Sequence, residues 1–314
     1  TGVIANSGIA ASANGYGGPA LSCNVLSGTA GLDVDSTGNL YVSNSTASVV
    51  SKINIQGDNK VNIIAGTWGV PGYAGDGGLA TSATLINPSS ITIANNVLYM
   101  ANFGAVSQSA IRKVDLNTGI IDLYSHDNPY PHVGSGATGT LSNLYTLSAL
   151  GVSKDLYGDI YMNDNSVNYV RKVNNATNIF TVVAGNGSLG SPGITVSGVP
   201  TTNNLLAPTV NTTNWKQIVM DSHGNLYAAA GYMIYRIGLI DSLIGPSPCT
   251  PTNWSLNVLP DNETNAVIPP SLGAVTLNCN TAVSNLTLGA GTTLNLNGNT
   301  LTSNSIIINP NAAI

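Results

Sequence analysis

The sequence predicts an all-β protein in two unequal parts, a ring of repeated four-stranded units followed by a small stack of strands. Three observations carry this reading. A tyrosine-centred strand recurs four times; the chain between recurrences alternates apolar and polar residues; and after residue 245 the texture turns Pro-rich, then becomes short strands with Gly/Asn corners. A near-fixed period marks units, stacked or radial, that cannot bury their apolar faces alone.

The recurring strands are Asn39-Leu40-Tyr41-Val42, Val97-Leu98-Tyr99-Met100, Asp159-Ile160-Tyr161-Met162 and Asn225-Leu226-Tyr227-Ala228, with tyrosines 58, 62 and 66 residues apart. Before the tyrosine strand comes an alternating one, as in Gly31-Leu32-Asp33-Val34-Asp35, and a turn such as Asp35-Ser36-Thr37-Gly38-Asn39 or Asp221-Ser222-His223-Gly224-Asn225. Gly and Asn there supply positive φ between antiparallel strands. A third strand carries a basic residue, at Lys52, Lys113, Lys172 and Arg236. The fourth is Ile63-Ile64-Ala65-Gly66 or Val182-Val183-Ala184-Gly185, with a degenerate copy at Leu123-Tyr124. Four short strands per unit with period-two patterning describe one blade of a β-propeller.

Four units align, and the fourth lacks an evident last strand. The opening residues Thr1-Gly2-Val3-Ile4-Ala5-Asn6 match that strand, Val3 lying 60 residues before Ile63. Residues 1–6 are therefore expected to complete the last blade of a four-bladed ring, removing open edges. The competing readings are that they pair with a neighbouring molecule, or that blades are missing.

Ile64-Ala65-Gly66-Thr67, then Gly72-Tyr73-Ala74-Gly75-Asp76-Gly77-Gly78-Leu79-Ala80, then Leu85-Ile86-Asn87-Pro88-Ser89 resembles the bacterial NHL-repeat propellers, and Gly15-Tyr16-Gly17-Gly18-Pro19-Ala20 is a worn copy. The resemblance covers residues 1–245 and implies the fold; propellers host unrelated activities. Family members that act as lyases use histidines spread over several blades, a set that His126, His132 and His223 do not supply.

Residues 246–270 read as a Pro-rich linker, from Gly245-Pro246-Ser247-Pro248 to Pro269-Pro270. Residues 271–314 read as a stacked-β module of Ala274–Asn278, Val283–Leu288, Thr293–Gly298 and Ser305–Ile308. It resembles the β-solenoid modules of secreted bacterial surface proteins. About 40 residues make a poor isolated stack, because both ends stay open.

Only 7% of the residues are charged, against about 25% in ordinary soluble domains. Such a surface gains little from charge repulsion against association, which suits a secreted protein packed against copies of itself or coated in sugar. A net charge of −5 with scattered cations argues against nucleic acid. No apolar run approaches the ~18 residues of a membrane helix. The start in a strand, without a signal peptide, reads as a processed mature end.

Cys249 and Cys279 are the expected disulfide, with Cys23 left over; three buried thiols are the alternative. Seven sequons, at Asn44, Asn175, Asn186, Asn211, Asn253, Asn262 and Asn285, permit N-glycosylation but number no more than composition gives by chance.

Candidate chemistry is sparse. His126 and His132 share a Pro-rich interblade loop with Asp127, a conceivable metal pair with no recognisable spacing. His223 reads as a turn residue. Asp76 reads as an Asx turn, with a calcium loop as the alternative. The aligned basic residues read as stems covering apolar surface, with a ring of cations as the alternative.

No catalytic residue, cofactor or metal is expected, and the chain is expected not to be an enzyme. The expected function is an extracellular structural subunit of a filament or surface layer. Thr1, Val3, Ile4, Leu286, Leu288, Leu294, Leu296, Ile306 and Ile308 would form inter-subunit contacts by strand addition. Partners would be copies of itself. The alternative is an adhesin holding glycan or cell-surface protein in interblade loops 66–88, 124–142 and 185–206, through Tyr16, Trp68, Tyr73 and Tyr130.

Overall fold

The computed structural model describes residues 16–23, 28–55, 57–104, 109–125, 138–140, 150–155, 158–164, 169–185, 215–221, 226–230, 233–237, 240–242, 248 and 265–314. Four antiparallel sheets follow one another along the chain. The first contains β1 (Thr29–Val34), β2 (Leu40–Asn44), β3 (Val49–Ile53) and β4 (Val61–Ala65). The second contains β5 (Pro88–Ala94), β6 (Val97–Asn102), β7 (Ala110–Asp115) and β8 (Ile121–Leu123). The third contains β10 (Val152–Lys154), β11 (Ile160–Asp164), β12 (Tyr169–Asn174) and β13 (Ile179–Gly185), with β9 (Thr138–Thr140) added beside β13. The fourth contains β14 (Trp215–Met220), β15 (Leu226–Ala230) and β16 (Met233–Ile237).

Turn chemistry sets the hairpins. The second sheet lacks the Asp-to-Gly turn of the first. It closes instead on Asn95 and Asn96, at φ 50° and 60°, the paired positive angles of a two-residue turn. The degenerate fourth strand expected at Leu123-Tyr124 is β8, two residues earlier.

Sheets pack face to face through apolar residues. Tyr41, Val50, Leu85, Ile91, Leu98 and Met100 fill the space between the first and second, and Tyr99, Ile111, Ile160, Met162 and Phe180 that between the second and third. The first strands of successive sheets meet along the inner side. Gly31 and Gly151 occupy equivalent positions there. A Cβ on Gly31 would stand 2.5 Å from the Ser89 carbonyl oxygen, and one on Gly151 2.9 Å from the Ile218 nitrogen, so only glycine lets the backbones approach this closely. Hydroxyls and one amide stitch these joints. Ser43 Oγ donates to the Ser89 carbonyl; Ser90 Oγ donates to the Val152 carbonyl at 3.0 Å; Met220 N donates to Ser153 Oγ at 3.0 Å. Gln217 Nε2 donates to the Ala30 carbonyl at 2.7 Å, bringing fourth sheet to first.

The glycine-rich loops cover sheet edges. Gly17 N donates to Val61 O at 2.6 Å and Val61 N to Gly18 O at 3.1 Å, so the worn copy lies along β4. Gly77 N donates to Ile121 O at 2.8 Å and Ile121 N to Gly78 O at 3.0 Å, so the full motif lies along β8. β9 does the same for β13. Each of these three segments thus satisfies the outer strand of the sheet it enters.

The tail is parallel. β17 (Ile240–Ser242), β18 (Asn265–Ile268), β20 (Thr281–Leu288) and β22 (Leu301–Ile308) form one sheet, and β19 (Ala274–Thr276) and β21 (Thr293–Asn295) a second. Asn265 pairs with Asn285 and Asn285 with Ser305, a repeat of twenty residues. Between the sheets lie Ala266, Ile268, Val275, Leu286, Leu288 and Leu294.

Candidate functional site

The repeated tyrosine sits opposite the repeated cation in every sheet: Tyr41 with Lys52, Tyr99 with Lys113, Tyr161 with Lys172 and Tyr227 with Arg236. In the first and third sheets the ammonium lies 5.5 Å from the ring centroid, a cation–π distance. The preceding aspartate completes the unit. Asp35 Oδ1 accepts from Thr37 N, Thr37 Oγ1 and Asn39 N at 2.9, 2.7 and 2.9 Å, and Oδ2 from Asn39 Nδ2 at 2.9 Å. Lys172 Nζ stands 2.8 Å from Asp159 Oδ2 and 3.4 Å from Asp155 Oδ2. The aligned cations are thus tied into their own sheets at Lys52 and Lys172.

Burial opposes the charge on Asp35, but the hydrogen bonds from Asn39 and Thr37 outweigh it and hold the carboxyl well below its ordinary value. A depressed folded value contributes stability that is present above the unfolded aspartate value near 3.9 and is lost as pH falls through the folded one. The stability difference between wild type and Asp35→Asn, measured by urea unfolding, is therefore expected to shrink as pH falls from about 5 to about 2. A difference independent of pH would show that the carboxylate charge is not what the turn uses.

Asp76 has a partner that its local sequence does not announce. The buried Arg112 guanidinium binds it, Nε at 3.0 Å and Nη2 at 2.9 Å. Arg112 also donates to the Thr84 carbonyl at 2.9 Å and the Ala74 carbonyl at 3.2 Å, and lies 5.4 Å from the Tyr73 ring.

The inner strands surround two cavities. One, of about 530 Å³, is walled by Asp35, Asn95, Asn96, Asp155 and Asp221 among others. The other, of about 470 Å³, is walled by Leu32, Asp33, Thr92, Ser153, Gln217 and Val219 among others. Lys154 and Met220 belong to both walls. Lys154 Nζ bonds Asp33 Oδ2 at 2.8 Å, and the same oxygen accepts from Ile93 N at 2.6 Å and Thr92 Oγ1 at 3.1 Å. One carboxylate thus joins three sheets where the cavities meet.

At the far end of the tail, β22 pairs with β20 on one side only among the described strands. Ile306, Ile307 and Ile308 are 43%, 41% and 51% exposed.

The sequence-derived contact residues divide. Leu286, Leu288 and Leu294 are buried, and Leu296 packs against them, so they form the tail's own core and are corrected as contact residues. Ile306 and Ile308 remain available. Thr1, Val3 and Ile4 lie outside the described residues. Asn44 is buried, its Oδ1 accepting from Ala47 N at 2.8 Å, so folded protein cannot present it to a glycosyltransferase. Asn175 and Asn285 are half-buried; Asn186, Asn211, Asn253 and Asn262 lie outside the described residues. Cys279 is disulfide-bonded and Cys23 is buried outside any disulfide; Cys249 lies outside the described residues.

Of the aromatics expected to hold a ligand, the hydroxyls of Tyr16 and Tyr73 are buried, and burial pushes Tyr16 up to about 12. Trp68 is exposed; Tyr130 lies outside the described residues, as do His126, His132 and His223. Among the described residues no three His, Cys, Asp or Glu side chains gather as a metal site, and no helix is long and apolar enough to cross a membrane.

The architecture is a β-propeller. No family model and no curated protein matches the chain. Solved structures do. A Bacteroides thetaiotaomicron protein of unknown function is 16% identical with a TM-score of 0.48, over 67% of this chain and 46% of its own. A putative gluconolactonase is 11% identical with a TM-score of 0.41, over 67% of this chain and 59% of its own. A streptogramin B lyase is 12% identical with a TM-score of 0.39, over 69% of this chain and 59% of its own. The chain spans about half the length of these proteins. The expectation that the chain is not an enzyme is corrected: proteins named as enzymes are among these matches, and few titratable groups do not rule out catalysis.

Proposed function

We propose that this chain is an extracellular structural subunit that assembles with copies of itself through its C-terminal stack. The observation that carries the reading is β22, an eight-residue strand unpaired on one side among the described residues, with three exposed isoleucines. Such edges are normally blunted by charge or proline because they template pairing. None of residues 264–314 is Asp, Glu, Lys or Arg. The disulfide at Cys279 supports an oxidising compartment, with Cys249 as its partner by elimination of the buried Cys23.

The ring is read as four NHL-type blades in residues 1–245, the contact from Gln217 to Ala30 supporting closure. The fourth strand expected at residues 1–6 lies outside the described residues. The solenoid-like module is read as including β18 and β17 as well as residues 271–314, so it begins earlier than the boundary expected at 271.

Sedimentation of the purified full chain over a wide concentration range, with negative-stain imaging, tests this. Concentration-dependent association into ordered particles is expected. A species that stays monomeric throughout would sink the reading.

A further inference from the structure

We propose that Lys172 and Asp159 condense into an amide bond between their side chains, with Asp155 carrying the protons. The bond concerns the third sheet alone and does not depend on whether copies associate. The ion-paired cluster of these three residues is the state before the bond forms.

The argument starts from a departure within the repeat. The turns Asp35–Asn39, Asp155–Asp159 and Asp221–Asn225 share one pattern, and of these only the third-sheet turn ends on an aspartate. In the first sheet Asn39 Nδ2 donates to Asp35 Oδ2 at 2.9 Å, and Lys52 meets that single acid at 3.8 Å with its side chain 34% exposed. In the third sheet a carboxylate stands where that amide stood. Two acids therefore close on one ammonium, Asp159 Oδ2 at 2.8 Å and Asp155 Oδ2 at 3.4 Å. All three residues are buried. The second-sheet turn has no aspartate, and the fourth sheet carries Arg236, whose guanidinium stays protonated and is no nucleophile. Holding charges away from water is costly. Condensing the ammonium with one carboxylate removes two of them and releases a water to solvent.

The cluster holds a nucleophile, a carboxyl carbon, a proton carrier and an oxyanion donor. Asp155 takes a proton from the Lys172 ammonium and passes it to Asp159 Oδ2, so that an amine faces a carboxylic acid. The Nζ lone pair attacks Asp159 Cγ and forms the C–N bond. Negative charge collects on Oδ1, which already accepts from Asn175 N at 2.9 Å. Asp155 moves a second proton from nitrogen to Oδ2, and the Cγ–Oδ2 bond breaks with its electron pair leaving on water. The amide keeps the third proton, and Asp155 ends as the carboxylate it began as. Asp155 Oδ1 accepts from Asp159 N at 2.9 Å, which fixes the carrier beside its substrate.

Mass spectrometry of the purified full chain after tryptic digestion tests this. Wild type is expected to give the peptides carrying Asp159 and Lys172 as one linked species, lighter than their sum by one water and uncut after Lys172. Asp155→Asn keeps an acceptor for Asp159 N but carries no proton from nitrogen, so bond formation is expected to slow by roughly 100-fold or more. Lys172→Arg keeps the positive charge and lacks only the bond, whereas Lys172→Met lacks bond and ion pair alike; neither should yield the linked species. Folded wild type whose two peptides appear at their separate masses overturns the proposal, as does water lost within the Asp159 peptide alone. Asp155→Asn that links as fast as wild type overturns the proton relay. None of these masses depends on self-association, so the bond and the assembly reading fail separately.

Discussion

Replacing Arg112 with methionine is expected to cost about 3–5 kcal/mol of folding stability and to release residues 74–84 from the second sheet. The guanidinium is fully buried and meets one carboxylate and two carbonyls, all on the glycine-rich loop. Methionine fills similar volume, but Asp76 loses its cation and both carbonyls lose a donor. Arg112→Lys keeps the charge and loses the planar fork, so it should recover only part of the loss. Urea unfolding gives the magnitude, and amide exchange at Ala74 and Thr84 gives the location. A loss under about 1 kcal/mol, the worth of one ordinary hydrogen bond, would mean that edge pairing alone holds the loop.

Lys172→Met is expected to be comparably damaging, and its counterpart Lys52→Met nearly silent. The two lysines occupy the same repeat position and contact the same type of acid. They differ in burial and distance. The Lys172 side chain is 11% exposed between aspartates each 5% exposed. Losing it takes the cation from two buried carboxylates, at about 3–5 kcal/mol. The Lys52 side chain is 34% exposed and 3.8 Å from Asp35, which its turn already satisfies, so its removal should cost under about 1 kcal/mol. Urea midpoints of both variants decide this. Equal losses would show that repeat position, not burial, sets the contribution.

The candidate site was legible in part. β22 could be anticipated from its alternating, uncharged sequence. The separation of Ile306 and Ile308 from Leu286 and Leu288 could not, because all four carry the same pattern and only the stacking order decides which of them a described neighbouring rung covers. Asp76 and Arg112 were each visible, as a turn acid and a third-strand cation, but the bond between them spans 36 residues. Asp33 and Lys154 are 121 residues apart, and neither bears a local sign of the other. β9 was hidden in a Pro-rich interblade stretch with no alternation to mark it.

Taken alone, the amino-acid order determined the repeat, the antiparallel four-strand unit, the turns and the break before the tail. These depend on side-chain alternation and on which residues accept positive φ, both set within a few neighbours. Tertiary structure decided what lies against each edge: glycine-rich loops along β4 and β8, β9 along β13, β17 drawn into the tail, and no described strand beyond β22. Edge coverage depends on where distant chain returns in space, and a backbone donor or acceptor leaves no mark in the sequence of the partner that will satisfy it.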